Sequence, residues 1–231
     1  LRVPFSTGTD WFLYDFSRVY VPAKAKIGAT EWLKELAAGR SMITNGPFLE
    51  LHVNQLPPGE IIALERPGTL TISARGRGRI DFKRLEIVQN GQVIRSQPTR
   101  QIAGNGSGHF EAALRFDLPV DNPCWLALRI PPPPSKEIPE LKEPVPRNEL
   151  EQPLFAHTSP VYVTLAGRQV FDATVVRGLI TEMQRVMTLI EKEGEFNGAI
   201  EKQRVLDVYR EAIDKLTQRL NPDGSKTGAA P

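Results

Sequence analysis

The chain has 231 residues, of which 40% are hydrophobic and 24% charged, and its formal net charge is +2 at pH 7. This length suffices for one large domain or two small ones with a buried core. The near balance of charges argues against a protein that depends on nucleic acid or an anionic membrane surface. No apolar run reaches the roughly 18 residues of a membrane-spanning helix. The single cysteine, Cys124, excludes an internal disulfide framework and a cysteine-based metal cluster, and its apolar surroundings indicate a core residue.

Residues 1–46 alternate between helical and extended signals, as the end of an α/β unit does. Residues 18–21 form a short strand candidate. Thr30 is a suitable N-cap for a helix that ends at Gly39, because threonine caps helix N-termini and glycine tolerates the left-handed conformation that follows a helix. An Asn45–Gly46–Pro47 turn then leads into the next region.

Residues 47–168 have a period of two, which predicts an antiparallel β-sandwich of immunoglobulin-like type. Asn90–Gly91 predicts a two-residue hairpin, since a type I′ turn needs positive φ at both central positions. A proline-rich insertion interrupts the strands at 131–152. The Arg- and Gly-containing stretch 75–79 is interpreted as a solvated basic turn, and 104–108 as a hairpin loop. Strands are predicted at 69–74, 82–89, 92–96, 110–116, 124–130 and 160–165.

Residues 169–221 carry two apolar stripes at helical spacing and predict an αα-hairpin with Asp172 as its N-cap. The hairpin can pack on itself, on the sandwich, or on a second copy of the chain as a homo-oligomer. Residues 222–231 are expected to be a flexible tail. The predicted fold class is therefore α+β: a short α/β N-terminal remnant, an immunoglobulin-like sandwich and a C-terminal αα-hairpin.

Asp10 is the leading candidate metal ligand, ahead of Asp15, because it is a carboxylate on a glycine-containing loop and hard oxygen anions suit divalent cations. An aspartate that hydrogen-bonds its own turn is the alternative. The three histidines, His52, His109 and His157, have no metal-ligand spacing. No nucleophile motif is present, so the catalytic residues are unknown.

Several segments resemble the end of PHP-type (polymerase and histidinol phosphatase-like) metallohydrolases, in particular the CehA/McbA-like branch. The resemblance rests on Thr7–Gly8–Thr9–Asp10, on residues 18–21, on the helix with Trp32 and Leu33, and on 38–47. Residues 51–60 and 155–163 resemble the first and last strands of the C-terminal sandwich of that branch. The likeness spans about residues 6–165 and is dense in the first 60.

The resemblance implies a metal-dependent phosphoesterase, or a related ester or carbamate hydrolase, with zinc, iron or manganese in the full-length protein. Gly8, Thr9 and Asp10 match the start of a Gly-Ser-Asp-x-His ligand motif, but Phe12 occupies the histidine position, so only Asp10 is carried over. The remaining ligands would belong to an upstream catalytic domain of the same polypeptide. The chain begins at Leu1 rather than Met, which is consistent with such an extension, and any secretion signal would lie there too.

The leading hypothesis is therefore an accessory C-terminal region that is inert by itself. The alternative is a non-catalytic sandwich module that binds carbohydrate or a protein partner, and exposed aromatic side chains on the sheets would favour it. Neither hypothesis involves nucleic acid or a membrane span, and the sequence leaves the compartment open between periplasmic or secreted and cytoplasmic.

Overall fold

The computed structural model describes residues 5–7, 17–22, 28–103, 108–132 and 144–221. In this part of the chain the protein is a mixed α+β structure with three helices and two sheets, one of eight strands and one of four. The chain divides into two compact units between Val170 and Phe171. The elements in chain order are β1 (Arg18–Tyr20), α1 (Ala29–Ala37), β2 (Met42–Thr44), β3 (Phe48–Val53), β4 (Ile61–Leu64), β5 (Gly68–Gly78), β6 (Arg84–Gln89), β7 (Gln92–Pro98), β8 (Arg100–Ile102), β9 (His109–Val120), β10 (Cys124–Arg129), β11 (Ala156–Thr158), β12 (Val161–Leu165), α2 (Ala173–Glu193) and α3 (Ala199–Leu220).

The eight-stranded sheet is centred on β10. Strand β6 lies along one edge of β10 and pairs in turn with β7, while β11 and β12 follow each other along the opposite edge. Beyond them, β11 pairs antiparallel with β2, and β2 with β1. Strand β12 pairs with β4 in parallel, the one parallel pairing among the described strands. The segment that the sequence analysis treats as the end of an α/β unit thus contributes β1 and β2 to the larger sheet.

The four-stranded sheet has the order β3-β5-β9-β8 and is antiparallel throughout. Along the described strands the chain changes sheet six times, at the β2–β3, β3–β4, β4–β5, β5–β6, β7–β8 and β9–β10 connections. Buried side chains of both sheets form one hydrophobic cluster, whose members include Leu51, Val53, Leu70, Ile72, Phe82, Leu85, Ile87, Leu126, Leu128 and Val161. Burial of such aliphatic side chains is the main stabilising term of the fold.

Most of the local predictions are confirmed. Asn90 and Gly91 have φ values of 49° and 88°, as a type I′ turn requires, and they join β6 to β7. Gly39 ends α1 with a φ of 73°. Cys124 is buried, and its burial raises the pKa of the thiol. The prediction of Thr30 as the N-cap is wrong: Thr30 lies inside α1, which begins two residues earlier than predicted, with Gly28 as its N-cap.

The predicted basic turn at 75–79 is wrong. Arg75 and Arg77 lie within β5, and their side chains are on the outer face of the four-stranded sheet. Gly76 is on the inner face, where an added Cβ would come within 2.7 Å of Leu85 Cδ2. The alternating arginines and glycines therefore belong to a strand. Its outer face carries the charged side chains, and its inner face at Gly76 is too crowded for a side chain.

The second unit contains a pair of helices, α2 and α3, joined by a short loop. Asp172 caps α2 as predicted, since its Oδ1 accepts hydrogen bonds from the backbone N–H groups of Thr174 and Val175 at 2.8 and 3.2 Å. Lys202 Nζ donates to the carbonyl oxygen of Glu191 at 2.7 Å, which links the end of α2 to the start of α3. None of the helices described has the length and apolar character required to cross a bilayer. The predicted tail at 222–231 lies outside the described residues.

Candidate functional site

The corner between β2 and β3 is held by side-chain hydrogen bonds of Thr44. Its hydroxyl donates to the carbonyl oxygen of Pro47 at 2.7 Å and accepts from the N–H of Gly46 at 2.9 Å. Gly46 has little room for a larger residue, because an added Cβ would lie 2.7 Å from Leu154 Cδ2. The turn is thus set by local polar contacts and by close packing against the 146–155 loop.

Asn45 ties this corner to the loop before β11. Its Nδ2 donates to the carbonyl oxygen of Pro153 at 2.8 Å, and its Oδ1 accepts from the N–H of Phe155 at the same distance. The side chain is buried, so both of its polar ends are satisfied by protein backbone rather than by water. The loop has its own amide anchor, since Asn148 Oδ1 accepts from the N–H groups of Leu150 and Gln152.

A small hydroxyl cluster anchors the N-terminal segment to the larger sheet. Ser41 Oγ and Ser159 Oγ are 2.9 Å apart and both residues are buried. Ser41 donates to the carbonyl oxygen of Phe5, and the N–H of Phe5 donates to Ser159 Oγ at 3.2 Å. The Phe5 ring meets the His157 ring edge to face, with centroids 4.8 Å apart. Phe5 is therefore held by the residue before β2, by the residue after β11 and by His157 of β11.

His157 belongs to this cluster and has a fixed hydrogen bond. Its Nδ1 lies 2.7 Å from the carbonyl oxygen of Thr158, which only accepts, so Nδ1 carries the proton. Burial lowers the pKa of His157, and the nearby positive charge of Arg129 adds to the effect, because the two residues are cross-strand partners. This neutral imidazole with an occupied Nδ1 lies in the interior of the larger sheet, on a strand paired with β2 and β10.

An open groove lies where β2 and β3 separate into different sheets. It has a volume of about 330 Å³, and its lining is mainly apolar, with residues from β1, β2, β3 and the Pro57–Pro58 turn. Tyr20 and Phe48 stand at this groove and are 45% and 44% exposed. Their rings meet edge to face at a centroid distance of 5.4 Å. We call this feature the Tyr20–Phe48 groove.

The polar groups of the Tyr20–Phe48 groove come from both sheets. Arg40 is already engaged: its Nη1 contacts Glu35 at 3.0 Å and its Nη2 contacts Glu60 at 2.8 Å. Glu50 and His52, by contrast, are exposed on β3 beside Phe48. An exposed aromatic pair flanked by a carboxylate and an imidazole offers stacking together with directional hydrogen bonds.

Two further carboxylates are clamped by arginines. Glu86 is buried, and each of its oxygens accepts one bond, from Arg84 Nε at 3.0 Å and from Arg129 Nε at 2.9 Å. On the outer face of the smaller sheet, Glu111 accepts from Arg75 Nη2 at 2.9 Å, which lowers the pKa of Glu111. These ion pairs neutralise the charges of neighbouring strands.

The predicted metal ligand, Asp10, lies outside the described residues, as do Gly8, Thr9 and Phe12. Within the described ranges, no group of three or more His, Cys, Asp or Glu side chains is arranged to hold a metal ion. The three histidines lie at separate places. His52 is exposed at the groove, His109 Nε2 is 3.6 Å from Glu111 Oε2, and His157 packs on Phe5.

Sequence reasoning missed Tyr20 and Phe48 as a pair. Phe48 could have been identified, because the inward alternation of Leu49, Leu51 and Val53 places Phe48 on the outer side of β3. Tyr20 could not have been identified as its neighbour, because Tyr20 reaches this position only through the pairing of β1 with β2, in which it lies opposite Met42.

No family model matches the sequence, and no curated protein is significantly similar to it.

Proposed function

We propose that this chain is the C-terminal accessory region of a PHP-like, metal-dependent phosphoesterase or ester or carbamate hydrolase, with an immunoglobulin-like sandwich and no catalytic activity of its own. The sequence resemblance of residues 6–60 and 155–163 supports the proposal. In such a protein the bound metals would activate water and polarise the substrate, and Asp10 would be the ligand supplied by this chain.

The observation that carries the accessory role is the anchoring of Phe5. Phe5 is bonded through its backbone to Ser41 and Ser159 and through its ring to His157. At Phe5 the N-terminal segment is therefore attached to residues beside β2 and β11. A domain joined upstream would be positioned by these contacts, which suits a sandwich that supports a catalytic domain.

The experiment compares the present chain with a polypeptide extended upstream by its natural coding sequence. Both are purified without chelator, their metal content is measured, and both are assayed with phosphomonoester, phosphodiester and carbamate substrates. We expect metal and hydrolysis only in the extended form, with metal reduced by Asp10→Ala. Stoichiometric metal in the present chain, or an extended form without metal-ligand motifs, would contradict the proposal.

A second function is favoured by the Tyr20–Phe48 groove: binding of carbohydrate or of a protein partner. Aromatic faces stack on sugar rings and are enriched at protein interfaces, and this aromatic pair is exposed on the sheets. The test is a glycan array followed by titration calorimetry of any glycan retained. Phe48→Ala should abolish the binding, whereas Phe171→Ala, which removes an exposed aromatic from the other unit, should not. Binding that is insensitive to Phe48→Ala would exclude the groove.

A further inference from the structure

Helix α2 packs against α3 through one apolar stripe. Its members are at alternating spacings of four and three residues, the pattern of an antiparallel helix seam, and they are buried or half-buried: Val176, Ile180, Met183, Met187 and Ile190. Helix α3 has a matching row of buried or half-buried residues: Leu206, Tyr209, Ile213, Leu216 and Leu220. These two rows account for the packing within the pair.

A second apolar stripe on α2 is left uncovered. Val175, Leu179 and Leu189 are 57%, 51% and 44% exposed, and the half-buried Val186 continues the same row. At about 100° per residue, this row lies about a third of the helix circumference away from the first. Exposed apolar rows of this length are uncommon on monomeric proteins and mark interaction surfaces. We call these four residues, with Glu182 in the same row, the outer stripe.

We propose that a second copy of this chain covers the outer stripe, with the two α2 helices antiparallel about a two-fold axis that passes between Met183 and Gln184. This register places Leu189 of each copy opposite Gly178 of the other. It also places Leu179 between Val186 and Ile190 of the second copy. A two-fold pairing of identical surfaces is the commonest form of protein oligomer.

The charges of the outer stripe fit this register. Arg185 Nε and Nη2 bond to the two carboxylate oxygens of Glu182 in the same helix at 2.9 and 2.6 Å, and both side chains are exposed. In the antiparallel pair, Glu182 of one copy faces Arg185 of the other, because both lie close to the axis on the same side of the interface. The four charges then form two crossed attractive pairs, whereas a parallel pairing would bring like charges together.

Gly178 is the second feature that the register explains. A glycine inside a helix costs about 1 kcal/mol relative to alanine. Apart from its chain neighbours and the backbone of its own helix turns, no atom of the described residues lies within 4 Å of the Cβ that an alanine would add at this position. The described structure of the chain therefore gives no reason for glycine here. Opposite Leu189 of a second copy, the missing side chain would allow the two helices to approach closely, as small residues do at helix interfaces.

Sedimentation velocity of the full chain over a range of concentrations tests the pairing. We expect a monomer–dimer equilibrium for the unmodified chain. Leu179→Glu should raise the dissociation constant by about tenfold or more, because it places a charge where an apolar side chain is buried. Ile200→Glu is the matched control, since Ile200 is 72% exposed on α3, outside the outer stripe, and its dimer should persist. Circular dichroism verifies that both variants fold.

Engineered disulfides test the register. The double variant Gly178→Cys/Leu189→Cys should form a covalent dimer on mild oxidation, because positions 178 and 189 are about 16 Å apart along one helix and cannot join within a chain. Each single variant should stay uncrosslinked, and the native Cys124 is buried. Cross-linking of Leu189→Cys alone would show a parallel pairing and overturn the register. A chain that is monomeric at its highest soluble concentration, or a dimer unaffected by Leu179→Glu, would overturn the proposal.

Discussion

Gly59 lies against the backbone of Gly39, and both residues have positive φ, 86° and 73°. Gly39 ends α1 in a Schellman motif, in which its N–H bonds to the carbonyl of Leu36 and the N–H of Arg40 bonds to that of Glu35. Gly59 in turn donates to the carbonyl of Pro160 at 2.9 Å. The two glycines thus join the end of α1 to the break between β11 and β12, and Arg40 reinforces the contact by pairing with Glu60.

Gly59→Ala should be strongly destabilising, by about 3 kcal/mol or more, because left-handed backbone costs an alanine roughly 1 kcal/mol and a steric clash is added. The new Cβ would be 2.5 Å from the carbonyl oxygen of Ala38 and 2.7 Å from the carbonyl carbon of Gly39. Gly91→Ala is the control for the φ strain alone, since Gly91 has a φ of 88° and open space around it. Urea unfolding of both variants gives the difference between their losses in the free energy of unfolding. Equal losses would show that the contact of Gly59 with the backbone of residues 38–39 adds no destabilisation.

The buried amide of Asn45 supports a second prediction. Asn45→Ala leaves the carbonyl of Pro153 and the N–H of Phe155 without their side-chain partner, and each unsatisfied buried group costs about 1–3 kcal/mol. We therefore expect a loss of about 2–4 kcal/mol in the free energy of unfolding. Asn122→Ala, which removes an exposed asparagine, should change it by less than about 0.5 kcal/mol. Similar stability of the two variants would show that the loop does not depend on Asn45.

The predictable parts of this fold are those set by local sequence. The Asn90–Gly91 turn, the glycine that ends α1 and the Asp172 cap each follow from the conformational preference of one or two residues. The change of sheet at 45–47 was not predictable, because it depends on which strands β2 and β3 pair with. The parallel pairing of β4 with β12 is likewise invisible to a pattern of period two, which is the same for parallel and antiparallel neighbours.

The candidate site was less predictable than the fold. The 38–47 segment carries part of the family resemblance, and the structure shows what several of its residues do: Arg40 forms ion pairs, Ser41 bonds to Phe5, and Asn45 holds the 153–155 loop. The groove beside them arises from long-range strand pairing. Its aromatic residues, Tyr20 and Phe48, are 28 positions apart in the sequence, and nothing local links them.

The doubly clamped Glu86 supports a third prediction. Glu86→Gln keeps the shape but removes the negative charge that Arg84 and Arg129 share, and it leaves Arg129 with an uncompensated positive charge beside a side chain that is only 6% exposed. Breaking a buried ion pair on one side typically costs about 3–5 kcal/mol, and partial exposure of the two arginines reduces this to about 2–3 kcal/mol. The control is Asp117→Asn, on an exposed strand position. Chemical unfolding should show a clear loss in the free energy of unfolding for Glu86→Gln but not for Asp117→Asn. An unchanged free energy for Glu86→Gln would mean that water replaces the carboxylate.

The pH dependence of stability should carry the signature of His157. Burial lowers its pKa below the ordinary value of 6.5, so the unfolded chain takes up a proton on this residue at a higher pH than the folded chain does. The contribution of His157 to the free energy of unfolding is therefore fully present above pH 6.5 and is lost as the pH falls below it. The slope is at most about 1.4 kcal/mol per pH unit for one proton.

The variant His157→Gln can still donate to the carbonyl of Thr158 but cannot titrate. Guanidinium unfolding between pH 5 and 8 should show a smaller acid loss for this variant than for the unmodified chain. His52→Gln, which keeps His157, should retain the full loss, and identical slopes for His157→Gln and the unmodified chain would assign the acid sensitivity to other groups.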